Sequence, residues 1–589
     1  MKKYFKKYFS LFIVVLLALI FFVTTSSLNY FTQDSNYVKW ASPDETANYY
    51  FSKEFSERKQ LSVFDPAAVV GDNMVIPRSL RSDFGWVKPV SFLGIILIYG
   101  EIGSILGIAV IPFLTPFFAA LGVIMFYFLI KNIFNEKLAL FSAFLLATFP
   151  VYIYYSARSM FHNVLFIFFL ICSFYFFGLA NSEKIENIKN KFLSFKFKKI
   201  EIKNFIFSFF GGAFFGLAII TRTSELLWLA PIMFLIWLFY VKRVGFMKLV
   251  ISLAGCFLAL LPVIYFNQIL YSSPIYGGYN AMNQSLDDLS RTGGEIIKSI
   301  SNGTWEKFES YASSIYNNIF YFGFKPGQSI DMFGHYVISM FPILFYASLL
   351  GLLFLIVKNC IKFEKKYLVY FLAWVVLSVI LVFYYGSWKF NDNPDPSSYT
   401  IGNSYTRYWL PIYLMMMPLV SLAIIRISRA VFLISSKTKN RARKIASDGL
   451  QYFIILFVSF SSIIFVLYGS EEGLAYLYYN NLFEKNNTQR VFSLTEPEAI
   501  IITKYYDKFF FPERRVVMGT IPDDEVLISA EKLIKYYPVY YYNFYLNQAD
   551  LDYLNSRKLD KYNLRMELVK KMNAKFGLYK LIDIENEKK

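Results

Sequence analysis

Ser42-Pro43-Asp44-Glu45-Thr46-Ala47-Asn48-Tyr49-Tyr50 lies just beyond the first long apolar run of the chain. Two adjacent carboxylates follow a proline, close to where the chain would leave a bilayer. Farther on, Trp86-Val87-Lys88-Pro89 sets a cation on the edge of the next apolar run. A carboxylate and a cation at one membrane surface suit a reaction that takes a proton from a nucleophile and expels an anion. The same residues also read as a helix start, with Ser42 as N-cap and Pro43 in the first turn. On the residues alone the two readings are even.

Composition sets the surroundings of this stretch. The 589 residues are 56% hydrophobic and 20% aromatic, and mean hydropathy is +0.41; few soluble proteins reach such values. Apolar runs long enough to cross a bilayer recur at 8–28, 108–130, 138–156, 162–180, 204–222, 226–241, 248–268, 336–357, 368–386, 408–426 and 450–468. The fold class is therefore a polytopic α-helical membrane protein of about eleven spans. Lys2, Lys3, Lys6 and Lys7 precede Leu11–Val23, a run too long for a typical signal peptide and without a small-x-small cleavage site, so it reads as an uncleaved first helix.

The net charge of +18 would suggest nucleic acid in a soluble protein. Here the basic residues cluster between apolar runs, which is the bias of cytoplasmic loops, and nucleic acid is excluded as a partner. Cys172, Cys256 and Cys360 suggest no disulfide framework. With only His162 and His335, no metal site is legible and no cofactor is assigned.

The run 89–107 decides the orientation. If it lies along the surface and the N-terminus is cytoplasmic, every basic loop falls inside: Lys131/Lys137, Lys184 through Lys203, Lys242/Arg243/Lys248, Lys358 through Lys366, and Arg426 through Lys444. If it spans, all of them move outside. The expectation is thus N-in and C-out in the plasma membrane. The first loop 29–107, the turns at Arg158 and Arg222, and the loops 269–335 and 387–407 would share the extracytoplasmic face. The loop 269–335 is long enough for a lid or for a structural cap, and the Asn283, Asn302 and Asn486 sequons are weak surface hints.

After residue 468 the pattern changes. Segments 499–503, 515–519, 539–545 and 578–582 read as strands, and 525–537 and 549–558 as helices, which suggests a small α/β domain. The expected division is a membrane domain 1–468 and an extracytoplasmic α/β domain 469–589.

Two motifs carry a family resemblance. Asp44-Glu45 with the paired Tyr49-Tyr50, followed by Lys88-Pro89 before an apolar helix, resembles the start of a GT-C membrane glycosyltransferase. The pattern is nearest to protein O-mannosyltransferases and lipid A aminoarabinose transferases. Asn403-Ser404-Tyr405-Thr406-Arg407-Tyr408-Trp409-Leu410-Pro411 resembles the late Arg-Tyr-x-x-Pro segment of many of these enzymes. The resemblance covers roughly 1–230 and 400–411.

It implies transfer of a sugar from a polyprenyl-phosphate donor to an acceptor hydroxyl on a protein, lipid or glycan, with inversion. It implies Asp44 as the base, with Glu45 orienting loops or acceptor. It also implies Lys88 as a phosphate contact, although Val90 stands where relatives have a second proline. Arg407 and Tyr408 fall in the late motif. Arg158 opens a turn where relatives place an acidic or amide residue after the arginine, a place filled here by His162 or Asn163. Arg222 sits in a similar short turn, and each of these two arginines also reads as an interfacial anchor. The Trp-Trp-Asp signature expected of an oligosaccharyltransferase catalytic subunit is absent, as are a P-loop and a Gly-x-Ser-x-Gly elbow. A flippase, transporter or glycan polymerase is the competing class, but it would place polar residues within its spans.

The orientation is testable. In a background with the three native cysteines replaced by serine, Asn440→Cys should be shielded from a membrane-impermeant thiol reagent in intact cells, and Asp560→Cys should react. The reverse labelling pattern would invert the topology.

Overall fold

The computed structural model describes residues 2–34, 37–181, 194–301, 308–393, 395–434, 440–469 and 471–584. Much of the basic loop 184–203, the Asn302 sequon and the middle of the basic segment 426–444 lie outside the described residues. Nine helices among the described residues are long and apolar enough to cross a membrane: Tyr8–Thr32, Ile108–Ile133, His162–Ala180, Ile202–Thr221, Thr223–Tyr271, Pro342–Ile361, Lys365–Gly386, Leu410–Phe432 and Ala442–Tyr468. Glu136–Ala147 and Pro150–Arg158 add a pair bent by 53°. Pro150 has no amide to continue the first helix, and it forces Phe149 into an extended conformation.

Each of the eleven apolar segments overlaps one of these helices, although 336–357 begins before Pro342. Two of them, 226–241 and 248–268, share the run Leu226–Tyr271, which breaks at Gly245 (φ 61°, ψ 169°). A side chain would strain that backbone, so glycine marks the break. Phe234, Leu253 and Phe457 are exposed on such helices, as expected where the solvent is lipid. The chain is a multi-pass membrane protein. Leu93–Leu106, the helix within 89–107, has 14 residues. At 1.5 Å per residue it is about 21 Å long, short of a hydrocarbon core of about 30 Å.

The chain forms two compact units. The first comprises residues 1–28, 113–262 and 281–476. Its helix Leu410–Ile434 packs against Glu136–Ala147, Pro342–Ile361 and Asn440–Tyr468. Lipid gives helices no hydrophobic reason to associate, so close contact relies on small residues. Gly212 and Gly216, spaced by three residues on Ser194–Thr221, face the backbone of Ser252 and Cys256 on Leu226–Tyr271, and Gly255 faces the carbonyl of Phe209 in return. A Cβ at Gly212 would fall on the Ser252 carbonyl.

The second unit comprises residues 29–112, 263–280 and 477–589, so it gathers the first loop with the C-terminal region. Five strands, β4 (Ile500–Thr503), β5 (Arg515–Met518), β6 (Val539–Phe544), β7 (Leu564–Lys571) and β8 (Phe576–Asp583), form a sheet of order β5-β4-β6-β8-β7. β4 runs parallel to β5 and β6, and β8 runs antiparallel to β6 and β7. Both faces are covered, so β4 opens with three isoleucines: Ile500 and Ile502 enter one core and Ile501 the other. The first loop supplies Ala67, Ala68 and Val75 to one of these cores. Ion pairs reinforce the contact: Arg78 with the buried Asp507, Arg515 with Asp65, and Lys532 with Asp72.

Sequence reading anticipated β4, β5, β6 and β8 but not β7, an edge strand whose Arg565, Glu567, Lys570 and Lys571 mask its alternation. Nor did it anticipate strands in the first loop. That loop contains a three-stranded sheet of order β1-β3-β2, from β1 (Val63–Phe64), β2 (Leu80–Asp83) and β3 (Trp86–Pro89).

Gly212→Leu should lower the thermal midpoint of the purified protein in detergent, since overpacking at this level typically costs about 1–3 kcal/mol. Gly449→Leu, at a helical glycine with nothing within 4 Å of an added Cβ, should leave the midpoint unchanged.

Candidate functional site

In the second unit, Asp44 and Glu45 open the helix Pro43–Arg58. Ser42 caps this helix, and the Glu45 carboxylate accepts the Ser42 N–H at 3.0 Å in a capping box. Glu45 is fully buried, so its capping role is visible in the geometry. Asp44 is directed differently. Its Oδ1 accepts the Ser79 hydroxyl at 2.5 Å, and Ser79 adjoins β2. The next turn of the helix repeats the attachment, with Asn48 accepting from Ser91 at 2.7 Å. The helix that carries Asp44 is thereby tied to the residue before β2 and to a residue just after β3, the strand that carries Lys88.

Lys88 sits on β3 opposite Arg81 of β2. Its ammonium donates to the Leu270 carbonyl at 2.9 Å and to Asp83 at 3.2 Å. Burial would raise the Asp83 pKa, but hydrogen bonds from Arg81 and Lys88 outweigh it and hold the carboxyl below its ordinary value. Lys88 is thus a paired, partly exposed cation.

In the first unit, the turn between Pro150–Arg158 and His162–Ala180 is strained. Ser159 and Met160 both have positive φ, 65° and 51°, which non-glycine residues rarely adopt. Phe161 N–H closes back on Ser159 O at 2.7 Å, and Met160 N–H donates to Thr115 at 3.2 Å. Strain of this kind persists where the surroundings over-determine it. Its product is the placement of Phe161. The Arg158 guanidinium lies 4.9 Å from that ring and the Arg407 guanidinium 4.5 Å from it, so one aromatic ring carries two cations.

Asn163 joins the turn to the late motif. Its amide donates to the Arg407 carbonyl at 3.1 Å, and its oxygen lies 3.4 Å from an Arg222 nitrogen. Arg407 donates to Ser404 at 2.9 Å, and Ser404 donates its amide and hydroxyl to Asp392. Arg222 is fully engaged: Nε donates to Glu225 at 2.8 Å, Nη2 to Tyr385 at 3.1 Å, and its plane lies 4.7 Å from the Tyr408 ring. Tyr385 donates to Glu225 at 2.7 Å, stacks on Tyr408 at 4.4 Å, and Trp228 also donates to Glu225. Glu225 thus neutralises Arg222 in place. His162 is buried as the first residue of its helix.

Sequence reading missed Glu225, Tyr385, Phe161, Asp392 and Glu472. The Arg222–Glu225 pair had a signal, since three-residue spacing at a helix start brings opposite charges together. Phe161 stands three residues after Arg158 in the same turn, whereas Tyr385, Asp392 and Glu472 come from other segments. Burial raises the Glu472 pKa from its ordinary 4.5, against the hydrogen bond from Thr400 and the charge of Arg158. Among the described residues, no three His, Cys, Asp or Glu side chains lie close enough to hold a metal ion.

Solved structures share this arrangement of helices. The oligosaccharyltransferase AglB from Archaeoglobus fulgidus, in complex with an inhibitory peptide and a dolichol-phosphate, aligns over 92% of this chain and 70% of its own at TM-score 0.56 and 12% identity. ArnT from Cupriavidus metallidurans in the apo state aligns over 97% of both chains at TM-score 0.51 and 11% identity. The fold is that of the GT-C membrane glycosyltransferases. No protein-family profile matches the chain, and no curated protein matches it by sequence.

Within this GT-C fold the Arg222–Glu225 pair should be a stability element. Glu225→Gln leaves a buried guanidinium without its counter-charge and should cost about 3–5 kcal/mol. The double variant Arg222→Met/Glu225→Met should recover most of that loss in detergent thermal unfolding. An additive loss in the double variant would deny the pairing.

Proposed function

We propose that the chain is a glycosyltransferase that takes a sugar from a polyprenyl-phosphate donor and passes it to an acceptor hydroxyl on the extracytoplasmic face of the plasma membrane. The observation that carries this reading is the pair of guanidiniums on Phe161. Two planar forks held on one ring suit the oxygens of a phosphate that gains charge as it departs. The GT-C fold supports the reaction class, and the dolichol-phosphate complex of the AglB neighbour supports the donor chemistry. The missing Trp-Trp-Asp signature favours a monosaccharide donor over an oligosaccharide one.

The roles are those the GT-C resemblance implies, matched to residue chemistry. Arg158 and Arg407 hold the phosphate, and Lys88 acts as a further phosphate contact. Asp44 takes the proton of the acceptor hydroxyl. The acceptor oxygen bonds to the anomeric carbon as the bond from that carbon to the phosphate oxygen breaks. The polyprenyl phosphate leaves with the electron pair, and the anomeric centre inverts. Glu45 serves by capping the Asp44 helix, and Arg222, Asn163, His162 and Tyr408 serve by positioning.

Purified protein with a labelled polyprenyl-phosphate sugar tests this. Asp44→Asn retains the shape of the side chain and an oxygen to accept from Ser79 but cannot act as a base, so turnover should fall by about 10²–10⁴-fold while donor binding persists. Arg407→Ala and Lys88→Ala should weaken donor binding by about 1.5–3 kcal/mol each. Transfer by Asp44→Asn at the parental rate would remove it as the base. No transfer by the parent with any lipid-linked sugar would favour a flippase, transporter or polymerase.

A further inference from the structure

The first unit contains a cavity of about 830 Å³ inside its helix bundle, separate from the arginine cluster. Phe174, Phe177, Met233, Trp237, Tyr370 and Leu414 form much of its wall, and Phe234 and Leu253, both exposed, line its side. Its walls are apolar except at one end, where Arg243, Lys248 and Lys366 line it with Asn132 and Asn181. No carboxylate lines it among the described residues.

Helix geometry fixes where this basic end lies. Trp228, the donor to Glu225, also lines the cavity, and Arg243 follows fifteen residues later on the same helix, about 22 Å along the axis. Lys366 and Tyr385 lie at opposite ends of Lys365–Gly386, about 28 Å apart by the same rise. The basic end and the Arg222–Tyr385 end are therefore at opposite ends of two membrane-spanning helices.

The three cations are only lightly compensated. The Lys248 ammonium donates to neutral oxygens, those of Ala180, Asn181 and Arg243, at 3.0–3.3 Å. Arg243 lies near the Tyr240 ring, and Lys366 has Glu364 at 3.5 Å in a half-exposed pair.

We propose that this cavity binds an anionic glycerophospholipid of the leaflet opposite the arginine cluster. Its phosphate would lie among Arg243, Lys248 and Lys366, and its acyl chains between the apolar walls. Charge complementarity selects this occupant. A zwitterionic lipid would leave the cations unmatched, and so would a donor chain entering from the arginine end. The inference does not depend on the proposed transferase activity.

The test is native mass spectrometry of the full chain, equilibrated in detergent with dioleoylphosphatidylglycerol and dioleoylphosphatidylcholine at equal concentration. The parent should retain phosphatidylglycerol at least about tenfold over phosphatidylcholine, given the attraction of each basic side chain near an anionic headgroup. Arg243→Gln/Lys248→Gln/Lys366→Gln should abolish the preference while binding of undecaprenyl phosphate stays at the parental level. Gly178→Phe, which fills the cavity at a glycine whose added Cβ would meet only Asn132 at 4.0 Å, should reduce retention of both glycerophospholipids. Equal retention of the two lipids by the parent would overturn the proposal. So would an unchanged preference in the triple variant, unchanged retention in Gly178→Phe, or one-for-one displacement of phosphatidylglycerol by undecaprenyl phosphate. If the triple variant does not fold, the parental preference and Gly178→Phe decide.

Discussion

The buried ion pair between Arg222 and Glu225 is the constraint around which the first unit is arranged. A charge at the end of a membrane span needs a counter-charge or water, and here both partners are almost fully buried. Glu225 accepts from Arg222, Tyr385 and Trp228. One carboxylate thus fixes a turn, a tyrosine on a distant helix and a tryptophan one turn ahead. Tyr385 then stacks on Tyr408, which lies beside Arg407. The placement of the late motif therefore depends on a residue three positions after Arg222, far from that motif in sequence.

The second unit is organised by a different device. The first loop is held to the C-terminal sheet by a shared apolar core and by ion pairs at its margin. The Arg78–Asp507 contact is the strongest of these, because Asp507 is wholly buried and accepts both the backbone N–H and the guanidinium of Arg78. Arg78 directly precedes Ser79, the hydroxyl that Asp44 accepts. The C-terminal sheet consequently fixes the backbone next to the Asp44 contact, which gives the tail a structural reason to exist within this unit.

Much of this was legible in the sequence, and the limits have physical causes. Apolar run length reveals membrane helices because lipid demands it, and each of the eleven segments overlaps a long helix. The break at Gly245 was harder, since the apolar pattern continues on either side of it. Capping by Ser42 and Glu45 was readable from spacing, because both groups belong to one turn. The contacts Asp44–Ser79, Asn163–Arg407 and Ser404–Asp392 join residues up to 244 positions apart; no local period encodes them. The site residues were found as types in motifs, and their partners only by folding. Arg222 illustrates the difference: the motif marked the cation, while only the geometry revealed the carboxylate that occupies it.

The choice of arginine at these turns follows from burial. Removing water disfavours the charged form of an amine, and Lys39, fully buried in the second unit, has its pKa lowered for that reason although Glu513 opposes the shift. A guanidinium holds its proton under the same conditions and can lie flat on an aromatic ring. The guanidinium carbons of Arg158, Arg222 and Arg407 all lie 4.5–4.9 Å from the centroid of Phe161 or Tyr408. Lys88, by contrast, keeps partial exposure and lies within reach of Asp83. The residue type at each cation thus follows the water available to it. The cluster on Phe161 therefore requires guanidinium chemistry, and a lysine substituted there would lose both its stacking surface and the security of its charge.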